Sequence, residues 1–347
     1  MAAGRQTLAQ RIQTAWFDKN LAVFLWPFLP LSWLFRAVAG ARRLAYRKSW
    51  LKRERLPVPV VVVGNLIVGG AGKTPLTLFL AEALKAAGKR PGIISRGYGG
   101  ADTDGGESVS AVGVDSDPLR VGDEPLLLAQ RSGVPVFVGR RRANAGRALL
   151  AAHPEVNVLI CDDGLQHEAL ARDLEIVVSD QRGFGNGYFL PVGPLREGPE
   201  RMSSVDAIVV HAGAVLPKDL RLPAVFEMRL EPGPFYKLSD PANSCDARDL
   251  AGRKLFAIAG IGHPERFFAT LKTMGLHFEP HPFSDHHAYS AKDFSFVGDG
   301  VLLMTEKDAV KCRPFYQGEA WVLPVSANIS SALTSLVLEK IDGCQAA

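Results

Sequence analysis

The sequence predicts an α/β fold with a mostly parallel sheet, and three features support this prediction. Short runs of apolar, often β-branched residues have the length of strands buried on both faces. Segments with helical periodicity lie between several of these runs, as in a parallel sheet covered by helices. Glycine-rich or charged residues directly follow several runs. Because open parallel sheets bind ligands beyond the carboxyl ends of their strands, we expect a ligand site along one rim.

The composition fits a globular protein of more than one domain. Of the 347 residues, 47% are hydrophobic and 22% are charged, which provides a sizeable core and excludes intrinsic disorder. The 34 glycines and 23 prolines follow no fixed period, which excludes collagen-like and coiled-coil classes. A net charge of +4 is too small to indicate a nucleic-acid partner. The four scattered cysteines indicate a reducing compartment rather than a disulfide framework.

An uncharged, aromatic-rich stretch near the N-terminus precedes a strongly basic one. Sixteen uncharged residues separate Lys19 from Arg36, fewer than the roughly 20 that a spanning helix needs. Pro27 and Pro30 would also kink such a helix. Aromatic residues beside a basic run are typical of a segment in the interface of an anionic membrane. The basic run comprises Arg36, Arg42, Arg43, Arg47, Lys48, Lys52, Arg53 and Arg55.

Residues 1–56 are therefore predicted to be a membrane-associating helical segment that lies in the interface or is half inserted. A full transmembrane span and a hairpin packed on the protein's own core are alternatives. A signal peptide would carry its cations before the apolar stretch, and the positive charge after that stretch opposes export.

A phosphate-binding loop is the most specific motif in the chain. The apolar run 58–65 has strand length, residues 76–87 have helical periodicity, and glycine-rich residues join them. Strand, glycine-rich turn, Gly-Lys-Thr and helix together make a Walker A motif. Lys73 is expected to reach the β- and γ-phosphates, and the Thr74 hydroxyl to bind Mg²⁺. The predicted nucleotide-binding residues are Ile67, Val68, Gly69, Gly70, Ala71, Gly72, Lys73, Thr74 and Pro75.

This loop departs from the usual pattern at one position. The first glycine of the motif is replaced by Ile67, and Gly69 and Gly70 lie in the middle instead. The surrounding strand and helix still favour a P-loop NTPase-like core.

A second strand, residues 91–95, ends in the cationic, glycine-rich loop that begins at Arg96. Parallel strands place their carboxyl ends on one rim, so this loop is expected beside the phosphate loop. Arg96 and Tyr98 are the substrate-binding candidates there.

Two carboxylate motifs are expected on the same rim. The strand 156–161 ends in Asp162 and Asp163, and an apolar strand ending in aspartate is typical of the carboxylate that holds Mg²⁺ or its waters. Neighbouring side chains on a strand end point in different directions, so one carboxylate is expected to serve the metal and the other structure or substrate. Asp123 opens a helix. It is either the cap of that helix or a base that accepts a hydroxyl proton.

The loop 185–197 and a histidine cluster complete the candidates. In the loop, Arg196 either stabilises developing phosphoryl charge or is a solvated surface residue, and Asn186 and Glu197 are substrate-binding candidates. In the second half, His286 near a carboxylate would form an acid–base pair, and a solvated surface histidine is the alternative. No zinc-like spacing accompanies it.

The chain divides by these patterns into four parts. We expect the membrane-associating segment (1–56), a P-loop core (57–223), a linking ribbon (224–240) and a smaller C-terminal α/β domain (241–347).

Together these motifs resemble one family closely, the tetraacyldisaccharide 4′-kinases, which are the lipid A 4′-kinases of Gram-negative bacteria. The resemblance runs through most of the chain, including the basic apolar N-terminus and an isoleucine-bearing phosphate loop. The matching stretches are VGNLIVGGAGKTP, SRGYGG, GDEP, DDGLQH, GNGYFLPVGPLRE, FSDHHAY and LLMTEKDAVK.

The resemblance implies a function and roles for individual residues. It implies transfer of the ATP γ-phosphate to the 4′-hydroxyl of a tetraacylated glucosamine disaccharide 1-phosphate, with Mg²⁺, at the cytoplasmic face of the inner membrane. It makes Asp123 the base, paired with His286 or, failing that, His287. It assigns Asp162 and Asp163 to the metal side, and Arg196 and Glu197 to the rim.

Two other functions remain possible from the sequence. A membrane-bound nucleotide switch would hydrolyse nucleotide without a small acceptor. A non-enzymatic lipid-binding protein would leave Gly72-Lys73-Thr74 and the two aspartates without a purpose.

Overall fold

The structure is a computed structural model that describes residues 8–18, 20–97 and 108–345. Its strands are β1 (Val60–Gly64), β2 (Pro91–Ser95), β3 (Val109–Ala111), β4 (Val136–Gly139), β5 (Val158–Cys161), β6 (Leu174–Ser179), β7 (Ala207–His211), β8 (Ala224–Pro232), β9 (Phe235–Lys237), β10 (Asp240–Cys245), β11 (Leu255–Ala259), β12 (Glu279–Pro282), β13 (Val301–Thr305), β14 (Ala320–Leu323) and β15 (Val325–Ile329).

Helices lie between several of these strands and at both ends of the chain. They are α1 (Leu8–Ala15), α2 (Leu29–Arg47), α3 (Lys73–Ala86), α4 (Pro118–Val121), α5 (Asp123–Ser132), α6 (Arg142–Ala152), α7 (Ala247–Leu250), α8 (Pro264–Thr273), α9 (Glu306–Cys312) and α10 (Ser331–Gln345). Short 3₁₀ helices occupy Val23–Phe28, Pro199–Ser204 and Ala291–Phe294.

Nine of the described strands form a large sheet with the order β15-β8-β7-β6-β1-β5-β2-β4-β3. Pairing is parallel from β8 through β4, and the two edge strands, β15 and β3, pair antiparallel. Strand β1 is fully buried, as its β-branched run predicts for the centre of a sheet covered on both faces. The predicted α/β fold with a P-loop core is confirmed.

The other six described strands form a second sheet with the order β10-β9-β14-β13-β11-β12. Strands β14, β13, β11 and β12 run parallel, with β12 at one edge, and β9 and β10 pair antiparallel at the other. Helices α8 and α9 follow β11 and β13, so the ends of these strands also point toward one edge.

The boundary between the two halves stays a prediction, but the topology argues for a different position. Residues 224–232, within the expected ribbon, are β8 and pair with β7 and β15 in the large sheet. Strand β15 and helix α10 return from the small sheet, and α10 packs its apolar side chains into the core of the large one. Alternating polarity in β8 reflects a sheet with a partly open face rather than a linker.

The N-terminal segment lies on the loop that follows β6. Leu25 is buried against Val192, and the Ser32 hydroxyl donates to the Phe189 carbonyl oxygen at 2.7 Å. Pro27 lies inside a 3₁₀ helix and Pro30 lies in the first turn of α2, where its missing N–H is tolerated. The prolines therefore start a helix rather than kink one.

Candidate functional site

The site lies at the rim where the parallel strands β1, β2, β5, β6 and β7 end. Strands β1 and β5 are neighbours, so the phosphate loop after β1 faces the aspartates after β5. Strand β6 flanks β1 on its other side and β7 flanks β6, which brings the residues after β6 to the back of the loop.

The phosphate loop ends at a glycine that no other residue could replace without strain. Gly72 has φ +86°, and a Cβ at this position would lie 2.3 Å from Nε2 of His211. The next residue, Lys73, starts α3 and is only 9% exposed. Its Nζ donates to Asn65 Oδ1 at 3.2 Å and lies 3.4 Å from Asp163 Oδ1. The Lys73 side chain thus extends across the loop toward Asp163.

Three successive carbonyls of the loop are held from behind by side chains. Gly69 O accepts from Asn65 Nδ2 at 3.2 Å, Gly70 O from Arg182 Nη2 at 2.8 Å, and Ala71 O from His211 Nε2 at 3.0 Å. In a planar trans peptide, the carbonyl and the following N–H point in opposite directions. The N–H groups of residues 70–72 therefore point away from these three side chains, as a phosphate cradle requires.

Burial controls the protonation of His211. Desolvation, helped by the charge of Arg266, lowers its pKa to about 4, so the ring is neutral near pH 7. A carbonyl oxygen only accepts, so the remaining proton is on Nε2. The sequence does not indicate this role of His211, since an isolated histidine at a strand end belongs to no motif.

The irregular position Ile67 has a packing explanation. Its side chain is buried with Phe189 and Leu195, and Phe17, Phe35 and Phe184 pack around them. A glycine here would remove this apolar contact. Ile67 thus supports the loop from outside, and any contact with nucleotide would be through its backbone.

The two aspartates after β5 have separate partners. Asp162 is 1% exposed and accepts from the Thr77 hydroxyl at 3.1 Å. Burial, together with the nearby charge of Glu124, raises its pKa to about 7. Asp163 instead pairs with Arg196, whose Nη2 lies 3.0 Å from its Oδ1.

The charge of Asp163 is stabilised despite its burial. Desolvation opposes ionisation, but Lys73 and Arg196 outweigh it and hold the pKa of Asp163 well below its usual range. Its φ of +46° turns the chain directly after Asp162, which explains why the two side chains diverge.

A magnesium ion would fit the oxygen atoms present. Among the described residues, no three His, Cys, Asp or Glu side chains come together as a complete metal site. A P-loop magnesium site does not need them, because one hydroxyl, one carboxylate, phosphate oxygens and waters supply the ligands. Thr74 is the second residue of α3, and a cation would stabilise the ionised form of Asp162, which burial disfavours.

Asp123 and His286 form the second focus of the site. His286 Nδ1 lies 3.0 Å from both carboxylate oxygens of Asp123. The helix cap is Gly122, so capping by the Asp123 side chain is not what starts α5. Although burial opposes its ionisation, the His286 hydrogen bond and Lys307 lower the pKa of Asp123 to about 2. The same hydrogen bond raises the pKa of His286.

His287, the fallback partner, lies elsewhere. Its ring packs on Phe283 and Tyr289, with centroids 4.7 and 4.8 Å away, and its Nε2 lies 3.6 Å from Asp293. The geometry therefore favours His286 as the partner of Asp123.

Two lysines of α9 lie beside the Asp123–His286 pair, and neither was predicted as a site residue. Lys307 Nζ lies 3.0 Å from Glu124 Oε1, 3.0 Å from Asp285 Oδ1 and 3.4 Å from His286 Nε2. Lys311 Nζ lies 3.9 Å from Asp123 Oδ2. Their spacing of four residues on a helix that follows a strand was a usable signal, since both project from one face.

The pKa of Lys307 reflects its ion pairs with Glu124 and Asp285. Burial disfavours the ammonium, but Glu124 and Asp285 outweigh that cost and raise its pKa above the ordinary value. One lysine from the small-sheet half thus neutralises a carboxylate from each half.

The phosphate loop and Asp285, the residue before His286, approach each other at Gly262. A Cβ there would lie 2.9 Å from Gly70 N and 3.3 Å from Asp285 Oδ2. The charge of Glu124, next to Asp123, also acts on Asp162. The acid–base pair, the phosphate loop and the carboxylate of Asp162 therefore lie along the same rim.

The remaining predicted residues are distributed around this rim. Arg196 also donates to the backbone oxygen of Asn65 at 3.2 Å, so it is tied to the phosphate loop rather than solvated. Glu197 accepts from Gln166 at 2.7 Å. Arg96 follows β2 at the same rim, and Tyr98 lies outside the described residues.

Asn186 is engaged inside its own loop. Its amide nitrogen donates to Val192 O at 3.0 Å, and its oxygen accepts from Tyr188 N at 3.1 Å. A substrate-binding role for Asn186 stays a prediction that these contacts do not support.

Comparison with known proteins agrees with this geometry. The family model described as tetraacyldisaccharide-1-P 4′-kinase matches residues 24–342. A tetraacyldisaccharide 4′-kinase from Dechloromonas aromatica is 56% identical over 98% of this chain and 100% of its own length. One from Methylobacillus flagellatus is 48% identical over 90% of each chain.

A solved structure shares the fold. The crystal structure of the "apo" form of LpxK from Aquifex aeolicus in complex with ATP superposes with a TM-score of 0.77 at 30% identity, covering 91% of this chain and 98% of that one. The chain therefore belongs to the tetraacyldisaccharide-1-P 4′-kinase family.

Proposed function

We propose that this protein transfers the γ-phosphate of ATP to the 4′-hydroxyl of a tetraacyldisaccharide 1-phosphate in lipid A biosynthesis. The observation that carries the proposal is the Asp123–His286 pair on the same rim as a Gly-Lys-Thr phosphate loop. A nucleotide switch needs no such pair, whereas a kinase must remove a proton from its acceptor hydroxyl.

The phosphate loop supplies the electrostatic part of the reaction. Lys73 and the N–H groups of residues 70–72 would hold the phosphates and offset charge in a loose transition state. Arg196, which pairs with Asp163 beside the loop, would add positive charge there. Thr74 and Asp162 would hold a magnesium ion, which neutralises phosphate charge when bound.

The acid–base pair supplies the proton transfer. With a pKa of about 2, Asp123 is ionised at neutral pH and can accept the proton of the sugar hydroxyl. His286 orients the carboxylate through Nδ1 and stabilises its charge. Lys307 keeps the neighbouring carboxylates Glu124 and Asp285 from repelling that charge.

The N-terminal segment would bring the site to its lipid substrate. Val23–Arg47 is long and apolar enough to cross a membrane by length and composition, and only 11% of its most apolar window is buried. Trp26, Trp33 and Leu34 are 59%, 61% and 58% exposed. Such exposure argues against a hairpin packed on the protein's own core.

We infer that this segment lies in the inner membrane at its cytoplasmic face. Aromatic side chains suit the interface, and the basic residues after them suit anionic headgroups and cytoplasmic retention. The acyl chains of the substrate would remain in the bilayer while the sugar reaches the rim.

The proposal is tested by the dependence of ATP turnover on the acceptor. ADP production by the full chain in detergent should rise strongly when tetraacyldisaccharide 1-phosphate is added, and Lys73→Ala should abolish the rise. Equal ADP production with and without the glycolipid would point to a nucleotide switch.

A further inference from the structure

The phosphate loop is linked to the N-terminal segment through one arginine. Arg182, which follows β6, is held by Asp180, with Nε 3.0 Å and Nη2 2.7 Å from Oδ2. The same Nη2 donates to Gly70 O at 2.8 Å. The guanidinium also approaches the preceding glycine so closely that a Cβ on Gly69 would lie 3.2 Å from Nη1.

The other face of this arginine meets an aromatic ring of the N-terminal segment. The Arg182 Cζ lies 5.1 Å from the centroid of the Phe17 ring, within the range of a cation–π contact. Phe17 also packs on the cluster that contains Ile67 of the phosphate loop. One side chain before the apolar helix therefore touches the loop directly and through Arg182.

Arg182 contacts the glycine-rich part of the loop, which loses much conformational freedom when it becomes ordered. Gly69 and Gly72 have φ of +96° and +86°, and glycine loses more conformational freedom on ordering than any other residue. Fixing Gly70 O also fixes the direction of the following N–H, because the peptide is planar. A loop that is already ordered binds phosphate more tightly, since less entropy is lost on binding.

We propose that Arg182 is a positioning residue through which Phe17 orders the phosphate loop, so that the affinity for ATP depends on how the N-terminal segment is seated. The inference rests on the proposed nucleotide site but not on the glycolipid acceptor. It gives the N-terminal segment a role in nucleotide binding, in addition to membrane docking.

Two conservative variants of the full chain in detergent test the link. Arg182→Lys keeps the charge beside Asp180 but cannot serve Asp180, Gly70 O and the Phe17 ring together, because it lacks the planar fork. Phe17→Leu keeps apolar packing and removes only the ring. The matched control is Phe24→Leu. Arg11 Cζ lies 5.7 Å from the centroid of the Phe24 ring, so this variant removes a similar arginine–ring contact in the same segment. Phe24 is 39% exposed.

The dissociation constant of a non-hydrolysable ATP analogue with Mg²⁺ is measured by calorimetry. We expect it to rise about tenfold for Arg182→Lys and about threefold for Phe17→Leu, with no change for Phe24→Leu. The double variant should bind no more weakly than Arg182→Lys alone, because both changes break one linkage.

A purely structural role would give a different pattern. It would lower the melting temperature and the active fraction, and leave the KM for ATP unchanged in the molecules that remain folded. We expect the KM for ATP to rise with kcat at saturating ATP changing less than about twofold.

Three results would overturn the proposal: unchanged analogue affinity in both variants, equal loss in Phe24→Leu, or additive losses in the double variant. A wild-type chain that binds no analogue would instead overturn the proposed function. The two failures are therefore distinguishable.

Discussion

The imidazole of His286 lies against the carboxylate of Asp123, with Nδ1 3.0 Å from both oxygens, and the two residues belong to different halves of the chain. Asp123 begins α5, beside the large sheet, whereas His286 follows β12 of the small sheet. The acid–base pair therefore exists only when both halves of the chain are docked. Lys307 and Arg131 reinforce that docking, because they pair with Glu124 and Glu306 across the same boundary.

The two adjacent histidines should respond very differently to substitution. His286→Asn removes the partner of Asp123, and asparagine tolerates the φ of +57° at this position. We expect kcat to fall about 10²-fold, in the range for a group that assists acid–base catalysis, with the KM for ATP little changed. His287→Asn, the matched control, should keep kcat within about threefold, since its ring packs away from Asp123. Steady-state kinetics check this, and equal losses in both variants would contradict the assignment.

The stability contributed by the pair should depend on pH in a defined window. The folded-state pKa of His286 is raised above 6.5, so its contribution is present below 6.5 and is lost as pH rises through the raised value. The pKa of Asp123 is lowered from 3.8 to about 2, so its contribution is present above 3.8 and is lost as pH falls through about 2.

The difference in melting temperature between wild type and His286→Asn should therefore be largest between pH 3.8 and 6.5. Comparing two variants cancels the opposite effects of His167 and His211, whose pKa values are lowered to about 4 by burial. A difference that grows above pH 8 would contradict the assignment of the pair.

Lys307 should matter for stability as well as for catalysis. Its side chain is 13% exposed and pairs with Glu124 and Asp285, so Lys307→Met leaves two partly buried carboxylates without a cation. We expect the free energy of unfolding to fall by about 2 kcal/mol, less than the cost of breaking a fully buried pair. Lys254→Met, which breaks an exposed pair with Asp299, should change nothing measurable. Denaturant titration measures the free energy of unfolding of both variants. Equal losses in the two would contradict a stabilising role for Lys307.

Two glycines of the phosphate loop provide another matched pair. Gly72→Ala places a Cβ 2.3 Å from His211 Nε2 at φ +86°, so we expect a loss of about 2 kcal/mol in the free energy of unfolding without nucleotide. A Cβ at Gly70 meets nothing within 4 Å, so Gly70→Ala should change stability by less than about 0.5 kcal/mol. Urea unfolding measures the stability of both variants. An unchanged free energy of unfolding for Gly72→Ala would contradict the prediction and show that the loop relaxes around the added methyl group.

The local motifs could be predicted from the sequence because each directly follows an apolar run of strand length. The strand β2 matched its predicted bounds, and the helix after the phosphate loop was found to within three residues at its start. The β-branched run before Gly64 has no other reasonable environment than the centre of a sheet.

Long-range partners were not readable. Arg182 and His211 act across sequence separations of 112 and 140 residues, and neither belongs to a recognisable motif. Lys307 lies in the matching stretch LLMTEKDAVK, but no local pattern indicates its pairing with Glu124, 183 residues away. The return of β15 and α10 to the large sheet was missed for the same reason, because the pairing of an edge strand depends on tertiary contacts rather than local pattern.

The fate of the γ-phosphate shows whether the protein is a glycolipid kinase that uses Asp123 as its base. Wild type and Asp123→Asn are incubated with γ-labelled ATP, Mg²⁺ and tetraacyldisaccharide 1-phosphate in detergent, and label is followed in lipid and in free phosphate. We predict label in the lipid for wild type, and a rate about 10³-fold lower for Asp123→Asn at unchanged ATP affinity, because the base is lost. Label released only as free phosphate, or an Asp123→Asn enzyme as fast as wild type, would contradict the account.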